Sequence, residues 1–299
     1  MNAKKKKHFI WLSLAAGVFW GTSFPLVKEG LIYISPIWFS NLRLILGFFC
    51  LLLLIKRYKI FWQFPKEYWF LGLFNSLGFL FQFLGMQTTA AGKAAFFVNG
   101  SLVYVAILSF LIFHEHFSWN KTLGVFLALV GIYSLSVGMQ PISVLFSGEL
   151  RGDLLVLASG LSWSIFMVLN KKMVSHPEYS VLETVTLYMF TSALVLLPVS
   201  VLFEPFPHSF AWQGWVILLV SSIFSLALPF YLWSLGLTGL TATVSSLLVL
   251  VEILVALILS VIFLGESLSL FEMCGALILI IALILASIEL NSRSGTLKK

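Results

Sequence analysis

Residues 241–263 read Thr-Ala-Thr-Val-Ser-Ser-Leu-Leu-Val-Leu-Val-Glu-Ile-Leu-Val-Ala-Leu-Ile-Leu-Ser-Val-Ile-Phe, with one charged side chain, Glu252. A helix needs about 20 apolar residues to cross a bilayer core, and this run supplies them. From Leu247 onward the run is apolar but for Glu252 and Ser260 and does not alternate, so a barrel strand is excluded. A helix satisfies its own backbone groups in lipid.

Nine further apolar runs lie outside this one, at roughly 9–30, 36–55, 68–88, 93–113, 121–138, 153–171, 181–202, 212–236 and 270–290. Of the 299 residues, 60% are hydrophobic and only 10% charged, with a mean hydropathy of +1.03. Soluble domains carry about 25% charged residues, so a soluble globular protein is excluded. The expected fold is an all-α integral membrane protein with ten transmembrane helices. Cys50 and Cys274 both fall inside apolar runs without metal or redox spacing, so they read as small hydrophobes and no metal or cofactor is expected.

The formal charge of +6 would suggest nucleic acid in a soluble chain. Here the basic residues sit between apolar runs, as loop anchors do, and no nucleic-acid partner is expected. With the N-terminus inside, Lys4–Lys7, Lys56, Arg57, Lys59, Lys66, Lys121, Lys171, Lys172, Arg293, Lys298 and Lys299 fall on the inner side. Lys28, Lys93 and Arg151 fall on the outer side, and Arg43 lies within a span. Both termini are therefore expected in the cytoplasm of a multi-pass protein of the cell (inner) membrane. The basic start followed by Ala15-Ala16-Gly17 imitates a secretory signal, but the apolar run continues through Trp20 and Phe24 to Val27, and the segment reads as the first span.

The chain also resembles itself. Gly17, Trp20 and Lys28 match Gly160, Trp163 and Lys171, while Gly85, Glu115, Ser118 and Gly124 match Gly236, Glu266, Ser269 and Gly275. The difference between the two offsets places a length change between Lys171 and Gly236, for which the turn Glu204-Pro205-Phe206-Pro207 is the natural site. The repeats are expected over 1–145 and 146–299, with five helices each. An odd number of crossings makes the second repeat enter from the opposite side, giving the inverted pair found in many transporters.

Trp20-Gly21-Thr22-Ser23-Phe24 with Lys28, Pro36 with Arg43, the Gly124 and Gly131 spacing, and Gly265-Glu266 together resemble the EamA type of the drug/metabolite transporter superfamily. The resemblance implies a ten-helix basket of two inverted repeats that exports or exchanges small metabolites by alternating access. Many relatives place proline after the acid of the ninth span, whereas Ile253 follows Glu252 here, and the first repeat carries His114-Glu115-His116 where a Gly-Glu pair is usual.

Ionisable groups inside a span are costly and mark candidate function. Arg43 has forked donors for a substrate carboxylate or phosphate; pairing with Glu252 or snorkelling to the outer surface are its structural alternatives. Glu252, at the midplane, is a candidate proton carrier or amine acceptor, with a structural role equally open, and Thr241 and Ser245 lie on its face. Asn75, Gly78, Gln82 and Gly85 form one helical stripe whose repeat partners include Pro229, Trp233 and Gly236, extended backward by Ser222 and Ser225. Such stripes either pack helices closely or line a cavity, with Asn99, Tyr188 and Tyr231 as further candidates.

Trp20 and Trp163 lie deep in equivalent helices, as cavity walls or core. Pro25 and Pro229 should kink their spans, and Lys28 and Lys93 read as snorkelling anchors. His114-Glu115-His116 reads as a helix terminator rather than a metal site. No ATPase loop or hydrolase motif is present, and an enzyme is not expected. The expected function is secondary transport of a small polar metabolite, such as an amino acid or derivative, with protons as a candidate coupling ion and membrane lipid as the surroundings. A gated channel or facilitator is the alternative.

Overall fold

The computed structural model describes residues 3–89, 91–115, 118–148, 150–176, 178–207, 211–264 and 268–292. These are helical, with no strand among them. In chain order the α-helices are α1 (Ala3–Gly21), α2 (Ser23–Gly30), α3 (Pro36–Leu52), α4 (Glu67–Met86), α5 (Ala91–Asn99), α6 (Ser101–Phe113) and α7 (Trp119–Ser136). They continue as α8 (Leu150–Val174), α9 (Val181–Phe203), α10 (Trp212–Ser222), α11 (Leu228–Gly239), α12 (Ala242–Val249), α13 (Val251–Leu264) and α14 (Leu270–Ser292). A π-helical turn, Ile223–Ala227, joins α10 to α11.

Among the described residues, eight helical stretches are long and apolar enough to cross a membrane. They coincide with eight of the ten expected runs. The other two runs are helical but differ: Pro36–Leu52 is a 17-residue helix, and Trp119–Ser136 opens on the polar turn Trp119-Asn120-Lys121-Thr122. Many apolar side chains remain exposed on the outside of the bundle, among them Trp11, Ile107, Leu277 and Ile284, as a lipid-facing surface requires.

Four runs are interrupted. The breaks at Gly100, between α5 and α6, and at Leu250, between α12 and α13, fall at nearly equivalent places in the two repeats. Thr22 breaks the first run just before Pro25, and the π-turn precedes Pro229. A proline removes its own N–H and crowds the carbonyl four residues earlier, which accounts for both positions.

Packing follows an exchange of halves. Helix α1 packs on α11 as α8 packs on α4, and α1 packs on α12 and α13 as α8 packs on α5 and α6. Two further pairs, α3 with α9 and α7 with α14, join equivalent elements of the two repeats, and α6 meets α12. The α7–α14 contact is close because a Cβ built on Gly131 would stand 3.0 Å from the Gly275 carbonyl oxygen.

Charged side chains bind the halves together at helix ends. Glu115 accepts hydrogen bonds from the Ala242 backbone N–H and the Thr243 hydroxyl, both at 3.0 Å, and from Lys121 Nζ at 2.6 Å. It thereby caps α12 from the other repeat, while its neighbour His114 ends α6 in the left-handed region at φ 51°. Thus Glu115 does more than terminate a helix; His116, Gly265, Glu266 and the side chain of Lys28 lie outside the described residues.

Lys93 is corrected from a snorkelling anchor to a buried ion. Its Nζ bonds Asp153 Oδ2 and the Ser147 carbonyl, and Thr89 donates to the other Asp153 oxygen. Lys121, counted as an inner-side anchor, is 2% exposed. With water excluded, the acid and the Ser147 carbonyl replace the lost solvation of the Lys93 ammonium.

Replacing Glu115 with Ala should cost about 3–5 kcal/mol, since Lys121 is left buried without its acid. Thermal melting of the detergent-solubilised protein would show it, and adding Lys121→Met should recover part of the loss.

Candidate functional site

The two tryptophans singled out by the repeat make matching contacts. Trp163, on α8, meets Phe79 of α4 edge-on at 4.8 Å and 82° between ring planes. Trp20, on α1, meets Phe230 of α11 edge-on at 5.1 Å and 81°. Phe79 and Phe230 occupy equivalent positions of the duplicated sequence, as do Gln82 and Trp233. The Trp163 indole donates to Gln82 Oε1 at 3.2 Å, and Trp20 lies 5.9 Å from the Trp233 ring. Gly78 permits this approach on one side: a Cβ there would stand 2.8 Å from the Trp163 ring.

Phe166 joins the two arrangements into an aromatic box. Its ring lies 5.9 Å from Trp163, 5.2 Å from Tyr188, 5.8 Å from Phe230 and 6.0 Å from Trp233, nearly parallel to the last. Rings from α1, α8, α9 and α11 therefore converge at the junction of the halves. Phe166, Tyr188 and Trp233 are all at most 1% exposed and belong to the main hydrophobic core.

Two polar edges inside it are unused. Trp233 Nε1 has no hydrogen-bond partner, and the Tyr188 hydroxyl adjoins Ser234 without a bond of ordinary geometry. Ser234 instead accepts from Asn170 Nδ2 at 2.9 Å, leaving Asn170 Oδ1 unpartnered. A buried donor without an acceptor is costly, so these are unsatisfied edges within the core.

Other candidates have partners within the protein or pack against its core. Asn75 donates to Ser192 at 2.8 Å, linking α4 to α9, although its Oδ1 is free. Asn99 returns its Nδ2 to the Ala95 carbonyl of its own helix at 2.9 Å. Ser245 shares a hydrogen bond with Ser13 of α1 at 3.2 Å. Tyr231 is partly buried against the main core.

Arg43 and Glu252 do not pair. Arg43 is 4% exposed and sends Nη2 to the Ser221 and Ser225 carbonyls at 3.4 and 3.3 Å, with its guanidinium 5.6 Å from the Phe39 ring centre. Glu252 sits half-buried in the first turn of α13, where a helix N-terminus favours negative charge. Its helix comes close to α1 because Gly21 has no side chain: a Cβ there would stand 2.7 Å from the Glu252 carbonyl oxygen. Among the described residues neither charge has an oppositely charged partner.

Phe166, Phe230, Asn170 and Asn41 were not singled out from the sequence. Phe166 lies three residues past Trp163 and Phe230 is the repeat partner of Phe79, signals that an aromatic-rich chain conceals. Asn41 is fully buried with neither amide atom bonded. Away from the box, a cavity of about 310 Å³ is lined by Thr88, Thr89, Lys93, Gln140, Ser147 and Asp153 beside the segment joining the repeats.

The EamA-like transporter family model matches residues 8–137 and 150–288, so the chain belongs to that family. It is similar to the uncharacterized transporter YoaV of Bacillus subtilis, at 26% identity over 89% of this chain and 92% of that one. An uncharacterized transporter of Archaeoglobus fulgidus is 28% identical over 95% of this chain and 87% of its own length. A "probable amino-acid metabolite efflux pump" of Escherichia coli is 27% identical over 55% of this chain and 54% of its own. A solved crystal structure superposes with a TM-score of 0.78 at 16% identity, over 95% of this chain and 98% of that one, a likeness of fold. The chain is a multi-pass membrane protein of a transporter family.

Because Arg43 and Glu252 do not touch, the stability losses of Arg43→Gln and Glu252→Gln should add to within about 0.5 kcal/mol. A double-mutant cycle by chemical denaturation in detergent measures this; a larger coupling would mean that the charges interact.

Proposed function

We propose that the protein is a secondary active transporter, an exporter or exchanger of a small polar metabolite such as an amino acid or derivative, in which two inverted five-helix repeats alternate around the aromatic box. The observation that carries the reading is the box itself. Both halves contribute matching Trp–Phe pairs to it, and it contains unbonded polar edges. Rings can enclose an apolar or cationic portion of a guest, while Trp233 Nε1 and the Tyr188 hydroxyl offer donors.

Ten crossings are supported by which helix ends meet. Glu204 caps α3 by accepting from the Ile37 and Trp38 backbone N–H groups, and Lys93 meets Asp153. Glu115 meets Ala242, Lys171 donates to the Leu237 carbonyl, and Arg57 meets Glu183. A path of ten alternating crossings brings the partners of all these pairs to the same face. Omitting either Pro36–Leu52 or Trp119–Ser136 as a crossing separates at least one pair. The excess of Lys and Arg on one side then favours cytoplasmic termini in the inner membrane.

Glu252 is the proposed proton carrier, an unpaired acid at the break between α12 and α13 where a moving proton changes the charge facing the pathway. In proteoliposomes, uptake of a labelled amino acid should saturate and accelerate when unlabelled substrate is placed on the opposite side. Flux linear in the gradient without trans-stimulation would favour a channel. Glu252→Gln should abolish the dependence on a pH gradient while leaving exchange between equal pH compartments, and retained gradient dependence would remove Glu252 from the coupling step.

A further inference from the structure

Arg43 is more than its local surroundings require. Pro229 has no N–H, so the helical hydrogen bond to the Ser225 carbonyl cannot form, and Arg43 Nη2 approaches that carbonyl at 3.3 Å. It also approaches the Ser221 carbonyl at 3.4 Å, so both contacts lie at the long end of hydrogen-bonding distance. A neutral donor would suffice for this patch. A full positive charge is instead buried there, with its Nε bonded to nothing and no carboxylate in contact with it among the described residues. The Ser225 hydroxyl, on the same turn and 1% exposed, is also unpartnered.

The π-turn of the site is next in sequence to α11, which carries part of the aromatic box. At Gly47, one turn after Arg43 on α3, a built Cβ would stand 3.4 Å from Leu226 of the π-turn and 3.4 Å from Met189 of α9. Met189 follows Tyr188 in sequence, and Phe230 lies five residues beyond Ser225, or about 7 Å of helical rise.

We propose that Arg43 binds the carboxylate of the transported metabolite, with the Ser225 hydroxyl as a second donor, and that the incoming carboxylate takes the guanidinium from the two carbonyls of the π-turn. A carboxylate is the stronger acceptor because its bond to guanidinium is charge-assisted. When Arg43 turns to the carboxylate it no longer bridges the Ser221 and Ser225 carbonyls, which loosens the junction of α10 and α11, so occupancy of the site is read as a change in that helix. The substrate class is therefore a carboxylate-bearing metabolite, its remaining part lying toward the box. The inference rests on the transport reading for the origin of the ligand, but its test measures binding alone.

The purified protein in detergent would be titrated with each proteinogenic L-amino acid and with the amine left by its decarboxylation, following thermal stabilisation. At least one amino acid should stabilise the protein where its decarboxylated amine does not. On binding, amide hydrogen exchange in the wild-type protein should rise within 221–229 while falling around the box. Arg43→Gln should weaken binding by about 30-fold or more, and Arg43→Lys by less. The exchange measurement needs no variant, so it decides the matter even if Arg43→Gln does not fold.

Equal stabilisation by amine and amino acid, no response to any amino acid, unchanged binding by Arg43→Gln or exchange in 221–229 that falls with the rest would each overturn the proposal. Carboxylate binding without carrier-like flux would refute the transport reading and leave this one standing. Carrier-like flux with full Arg43→Gln binding would do the reverse.

Discussion

Inside a bilayer each backbone N–H and C=O must find a partner within the protein, and an interrupted helix leaves several without one. The internal charges of this chain largely answer that need. Glu115 supplies the acceptor for the first N–H of α12, and Glu204 does the same for the start of α3. Lys171 and Lys93 bring ammonium groups to the Leu237 and Ser147 carbonyls, and Arg43 reaches the Ser225 carbonyl, to which Pro229 has no N–H to donate. In most of these contacts the side chain and the backbone group come from different repeats, so one device caps a helix and holds the halves in register.

The breaks at Gly100 and Leu250 meet the same constraint with backbone hydrogen bonds that continue across them. Interruptions at Gly100 and Leu250 lie at nearly matching places in the two repeats, and the box lies where rings from both halves meet. Broken helices give short segments that tilt separately, which rocking about a central site requires. The patches are made by hydrogen bonds of a few donors and acceptors, and these exchange partners more readily than a packed apolar contact can be remade.

The helical runs were legible in the sequence because lipid demands long apolar stretches, and the repeat because Trp20, Trp163 and the glycines recur in register. The matching contacts of Trp20 and Trp163 with Phe230 and Phe79 follow from that duplication. The roles of the charges were less legible. Lys93 and Lys121 look like loop anchors along the chain, and only folding brings Asp153 and Glu115 to them. Arg43 and Glu252, the two intramembrane charges, invite pairing in one dimension but lie on helices whose neighbours keep them apart. The Pro229 signal was readable as a kink, yet the carbonyl to which it cannot donate gains meaning only when α3 is seen beside it.

Alternating access requires the two halves to move against each other around the box. Spin labels placed in a cysteine-free background at Ile32 and Leu150 would report one end of the bundle, and labels at Trp62 and Lys172 the other, all exposed positions. Distances measured by double electron–electron resonance, with and without a transported amino acid, should change in opposite directions at the two ends. Distances that stay fixed at both ends, or that widen together, would contradict alternating access.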